Sequence, residues 1–231
     1  METIRTLSVP GADAPDIQAR YMAGWPASGQ YPVVLGSEKQ ASRRMRSIVA
    51  NLKTYRAEDP VREIIRRAAA IDVEPWFTAR YGALGIDPAV EPEPDGEWAR
   101  DSASPIGPTA HLKPSTSKPL KQAGLALVPT RNPAEVFAHL CWGGWNNCPT
   151  AEEHVAVHHY WVGKYGGGVI SVTQDVVECE ISHPPQDRPA AIALAREQYA
   201  YCPDVVDQGT GTLASLAAGL LQSKYWYFWW D

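Results

Sequence analysis

A chain of 231 residues, 45% hydrophobic and 20% charged, has the make-up of one or two folded domains and excludes wholesale disorder. Its net charge of -5 offers no basic footprint for nucleic acid. No apolar run approaches the roughly 20 residues that span a bilayer, and no secretory signal is evident, so the expectation is a cytoplasmic protein with neither a membrane nor a nucleic-acid partner.

Residues 1–86 read as an N-terminal α/β segment. Tyr31 to Gly36 forms a short buried strand, and residues 38–52 and 60–70 are helical. Asp59 is the N-cap of the second helix, Pro60 its first residue, and Val61, Ile64 and Ile65 its apolar stripe. Arg43, Arg44 and Arg46, and then Arg62, Arg66 and Arg67, form two basic clusters that read as solvated helix faces. This segment has few apolar residues for a core of its own and is expected to pack on the rest. Residues 87–122 contain seven prolines and little apolar periodicity, the composition of a linker or a long wrapping loop.

Residues 123–231 form the C-terminal domain. Leu125 to Val128 is a buried strand. Asn132 caps a helix that turns Val136, Phe137, Leu140 and Cys141 inward before Gly143 and Gly144 stop it. Thr150 and Glu153 make a capping box that opens a helix running to about Lys164 and ending at Gly166. Residues 169–174 and 176–182 then form an antiparallel hairpin. In its second strand Val177, Cys179 and Ile181 face inward, while Glu178, Glu180 and Ser182 face solvent. A helix from Pro189 to Pro203 follows, and Thr212 caps a short one bearing Leu213, Leu216, Leu220 and Leu221. The six aromatics Tyr225 to Trp230 cannot wave in water and read as a strand inserted into the core. The order is βαββαβ with each helix position broken in two. This predicts an α+β, ferredoxin-like domain with a small mixed or antiparallel sheet and helices on one face.

Several of these residues also resemble successive motifs of the bacterial domain-of-unknown-function 4253 family. They are His159-Tyr160-Trp161, Lys164-Tyr165-Gly166, Pro184-Pro185, then Ala195, Glu197, Tyr199 and Tyr201-Cys202-Pro203-Asp204, then Gln208-Gly209, and finally Trp226 and Phe228 to Asp231. The likeness covers the C-terminal domain in order and spacing. Before it, only Ser28 to Gly36 has a thin similarity. The resemblance implies a domain boundary but no activity.

Three places could carry chemistry. His154 and His158 stand one turn apart on one helix face, and Cys148 precedes that helix where amide dipoles favour a thiolate. With Cys141 they would make a zinc-ligand set, or Cys148 could act as a catalytic thiol. The same histidines share their face with Val155, Trp161, Val162 and Tyr165, so they read equally well as partly buried imidazoles, and the family resemblance does not require Cys148, His154 or His158. The second place is the helix break carrying Glu197, Tyr201, Asp204 and Gln208, whose polar groups could hold a ligand or simply satisfy the broken helix. The third is the loop of Trp142, Trp145, Asn146 and Asn147, which could stack a ring or roof the core. Four cysteines without a Cys-x-x-Cys pair fit free thiols.

The reading that follows is a non-catalytic binding module of stress-response or toxin-neutralising type, without a cofactor, for a protein or small-molecule partner. The alternative is a metal- or thiol-dependent enzyme using Cys148, His154 and His158.

Overall fold

The computed structural model describes residues 3–85, 96–98 and 107–230. In chain order it contains β1 (Arg5–Val9), α1 (Ala14–Ser28), β2 (Gln30–Ser37), α2 (Glu38–Lys53), α3 (Pro60–Ala68) and α4 (Val73–Ala83). The C-terminal part then supplies β3 (Ala123–Pro129), α5 (Val136–Leu140), α6 (Ala151–Tyr165), β4 (Gly168–Val172), β5 (Val176–Glu180), α7 (Arg188–Tyr201), α8 (Leu213–Leu220) and β6 (Tyr225–Trp229). A 3-10 turn at Pro133–Glu135 leads into α5, and a π-helical turn at Val205–Thr210 separates α7 from α8.

The α+β class holds, but the strand neighbours are not those of a ferredoxin-like sheet. One mixed sheet runs in the order β1-β3-β2-β4-β5-β6. β2 of the N-terminal segment lies between β3 and β4, antiparallel to the first and parallel to the second. Its sequence explains this placement. Residues 31–36 are buried without alternation, the pattern of a strand covered on both faces, and only a central position covers both. The N-terminal segment therefore completes the sheet of the C-terminal part.

The aromatic terminal strand enters the core as expected, and it does so from the edge of the sheet. β6 pairs with β5 alone, from Val176 opposite Trp229 to Glu180 opposite Tyr225. Trp226, Phe228 and Trp230 point into the core at 2% exposure or less, whereas Tyr225, Tyr227 and Trp229 are half-buried on the other face. Period-2 alternation lets one strand serve an apolar core and a wetter face together.

The C-terminal helices α5 to α8 share one face of the sheet, as expected for that domain, and α1 of the N-terminal segment covers the other. The large core lies between the sheet and α2 to α8, and includes Leu35, Ile48, Ile64, Phe137, Trp161 and Phe228. On the opposite face Val9, Ala14, Val34, Ala123 and Leu125 form a smaller core beneath α1 and the segment around Leu120. Gln18 of α1 reaches into the sheet and donates from Nε2 to the carbonyls of Pro32 (3.2 Å) and Ile170 (2.6 Å).

Residues 87–95 and 99–106 of the expected linker lie outside the described residues. The stretch from Gly107 to Gln122 wraps across the sheet, held by Gly11 N donating to Leu120 O (3.1 Å). It covers Glu178, whose strand face was expected to be solvated. Glu178 is 2% exposed and accepts from Thr109 N (2.6 Å), Thr109 Oγ1 (2.5 Å), Ala110 N (3.2 Å) and the Ser171 hydroxyl. A buried carboxylate is tolerated only when its lone pairs are satisfied in this way. Among the described residues no helix is long and apolar enough to cross a membrane.

Candidate functional site

The capping box forms as expected: Thr150 accepts from Glu153 N, and Glu153 reaches back to Thr150 N at 2.7 Å. This fixes the start of α6 and aims His154 and His158 at the core, where they are 0% and 2% exposed. Their partner is Tyr201 of α7. Its hydroxyl lies 2.7 Å from His154 Nδ1 and 2.9 Å from His158 Nε2. The far ring nitrogens meet thiols, Cys148 Sγ at 3.4 Å from His154 Nε2 and Cys179 Sγ at 4.0 Å from His158 Nδ1. Two opposite proton orders satisfy every member of this five-residue chain, since thiol, imidazole and phenol can each donate at one side and accept at the other.

Aromatic rings enclose the chain. Phe137 lies 4.7 Å from the His154 ring and 4.5 Å from that of His158, and Trp142, Trp161 and Trp230 close the remaining sides. Burial pushes both imidazoles down, His158 to about 3, and pushes Tyr201 and Cys148 up, so every group is held neutral. Among the described residues no group of three or more His, Cys, Asp or Glu is arranged to hold a metal. The expected set of Cys148, His154 and His158 instead spends its lone pairs on hydrogen bonds, and the Tyr201 hydroxyl stands where both imidazoles point.

The tryptophan loop roofs the core. Trp142 is fully buried and donates from Nε1 to Thr173 O (3.0 Å), and Trp145 packs edge-on against it at 4.9 Å. α5 ends before the glycines, at Cys141, whose φ of 43° is left-handed. Asn146 and Asn147 also take positive φ and are exposed, as asparagine in a tight turn can. Asn147 O accepts from Arg80 Nη2 of α4 at 2.5 Å, while Arg80 Nε donates to Ala200 O (2.9 Å). Arg80 thus ties this loop to α7.

The polar side chains of the helix break have partners within the fold. Glu197 accepts from Tyr160 (3.0 Å), Trp161 Nε1 (2.8 Å) and Lys164 (2.7 Å), a network that clamps α7 to α6. Tyr201 points inward instead of standing beside it. Asp204 makes no capping bond to the backbone and accepts from Gln208 Nε2 at 2.9 Å.

What the structure does assemble is a cleft of about 440 Å³ that the sequence did not reveal. Asn51, Thr54 and Tyr55 line it from the end of α2 and the turn beyond, Arg67 from α3, Cys141, Gly143 and Gly144 from the loop, and Thr150 to Glu152 from the start of α6. Only Cys141 and the tryptophan loop were marked by the sequence. Arg67 bonds Glu63 (2.8 Å), approaches Glu152 (3.7 Å) and lies over the Tyr55 ring at 5.3 Å. Burial and then the adjacent Glu152 push the Tyr55 phenol up. Burial raises the Cys141 thiol to about 11, against the opposing pull of Tyr55 and Arg44. Gly143, at φ 116°, is the wall between cleft and buried chain. A Cβ there would lie 2.0 Å from Pro149 O and 2.7 Å from His154 Cδ2.

An α+β chain with a polar cleft over a sealed aromatic core is what fold and site define. Residues 124–231 match the model of a family described as a domain of unknown function (DUF4253), so the C-terminal half carries that family's domain. No curated protein and no solved structure matches the chain.

Proposed function

We propose that this protein is a non-catalytic binding module and that its recognition site is the cleft framed by Tyr55, Arg67 and Glu152. The observation that carries this reading is the pairing of a guanidinium, a carboxylate and a phenol on the walls of one open concavity. Its volume lies within the roughly 300–1,000 Å³ of pockets that take small organic molecules. Groups of both charge signs suit a polar partner that itself carries donors and acceptors, either a small molecule or a peptide segment. Two glycines on the rim leave backbone open to close approach.

The rival, a thiol enzyme, draws on the 3.4 Å contact between Cys148 and His154. Its weakness is chemical. The nucleophile would have to be the thiolate, yet Cys148 is 5% exposed and its thiol is pushed up by burial. The imidazole beside it is pushed down by burial and so is a poor proton acceptor.

Amide-resolved NMR of the full chain with a library of polar fragments tests the binding reading. Shifts are expected to cluster at Asn51 to Tyr55, Arg67 and Gly143 to Glu152. Shifts confined to the segment from Glu197 to Gln208 would overturn it.

A further inference from the structure

A second, smaller cavity lies further along α2, walled by Leu35, Gln40, Arg43, Arg44, Ser47, Thr173 and Gln174, with a volume of about 120 Å³. We propose that it binds a phosphate-sized oxyanion, with Arg43 and Arg44 as its principal ligands. This goes beyond the cleft reading and does not depend on it.

The argument begins with where Arg44 stands. Ala41 and Ile48 of α2 are buried, and a residue three beyond the first and four before the second shares their core-facing stripe. An aliphatic side chain would suit that position, yet it carries a guanidinium. Desolvating a cation is costly unless an anion or several acceptors compensate. The acceptor it meets is Thr173 O, at 3.4 Å from Nη2, and that carbonyl already accepts from Trp142 Nε1. Among the described residues neither Arg43 nor Arg44 has a carboxylate within ion-pair distance. Asp175, in the adjoining turn, takes the Thr173 hydroxyl at 3.3 Å. Burial accordingly pulls Arg44 below its usual value.

The remaining walls are also biased toward donors. Arg43 Nη1 donates to Gln174 Oε1 (3.0 Å), which leaves the rest of its planar fork for another acceptor. The Gln40 carbonyl oxygen is used by Ser37 in the α2 capping box, so its amide nitrogen is the end that remains to donate. Two guanidinium groups and an amide thus line a space of this size, and arginine forks are the groups that hold phosphate oxygens bidentately. The volume is far below that of pockets for larger ligands, which argues for a free ion as the occupant rather than the end of a metabolite.

Calorimetric titration of the full chain near neutral pH, with ionic strength held constant by chloride, tests this. Inorganic phosphate should give saturable heat, weakened about tenfold in Arg43→Gln and abolished in Arg44→Gln, with Arg44→Lys in between because the fork is lost. Glycerol phosphate should bind less tightly; if it binds more tightly, the site stands and its occupant is a phosphomonoester. No saturable heat with either compound, or unchanged affinity in Arg43→Gln, would overturn the proposal. Arg43 is exposed, so that variant decides the matter even if Arg44→Gln fails to fold.

Discussion

The Tyr201 hydroxyl sits between two imidazoles, 2.7 Å from His154 and 2.9 Å from His158, and so joins α7 to α6 at the centre of the core. Tyr201→Phe would leave two buried ring nitrogens without a partner while changing the packed volume little. An orphaned buried polar group costs about 1–3 kcal/mol, so the loss should be about 2–6 kcal/mol. Urea denaturation checks this, and a loss below about 0.5 kcal/mol would mean the hydroxyl does not hold the imidazoles.

The same imidazoles should make the fold sensitive to mild acid. Both have folded values below the ordinary 6.5, so the unfolded chain binds protons that the folded chain refuses. Their contribution is complete above pH 6.5 and is lost as pH falls toward the folded values, about 3 for His158. Each buried imidazole should cost up to about tenfold in the folding equilibrium per pH unit in that window. Melting followed from pH 6.5 to about pH 5, above the carboxylate range, reads the histidines, among them His111 and His139, which burial also pulls down. His158→Gln should flatten the slope, and an unchanged slope would contradict the assignment.

Glu178 fastens the wrapping segment to the sheet through Thr109 and Ala110. Glu178→Ala removes the acceptor for three donors of that segment and for Ser171, and should destabilise by about 3 kcal/mol. Limited proteolysis should show faster cutting between residues 107 and 122. Equal cutting rates in variant and wild type would show that the segment is held elsewhere.

The four thiols should differ in reactivity. All four are buried, but Cys141 lines the cleft, while Cys148, Cys179 and Cys202 do not. Iodoacetamide should therefore label Cys141 first, slowly near neutral pH and faster as pH rises toward about 11. Rapid labelling of Cys148 near neutral pH would revive the thiol-enzyme reading.

Legibility in the sequence followed locality. The caps at Asp59, Asn132, Thr150 and Thr212 form where the residues place them, because a cap needs only its own turn. β1, α1 and α4 gave no signal. β1 is an edge strand with only Val9 buried, α1 buries just Ala14 and Gln18 and contains Pro26, and α4 buries Phe77 and Tyr81 alone. The insertion of β2 between β3 and β4 depends on pairings as distant in sequence as Val34 with Leu125 and Val34 with Ser171, beyond any periodicity. The cleft was hidden for the same reason: Tyr55, Arg67 and Glu152 meet only because α3 packs beside α6. Conversely, Glu197 and Gln208 drew notice as polar groups at a helix break, and the structure gives each a neighbour within the fold.

The central claim is that the cleft holds a ligand, and native mass spectrometry of protein purified without added ligand tests it most directly. A small adduct should accompany the wild-type chain and disappear from a folded Tyr55→Phe, Glu152→Gln double variant. An adduct of equal abundance on both, or a wild-type chain that carries none and acquires none from a cell extract, would contradict the account.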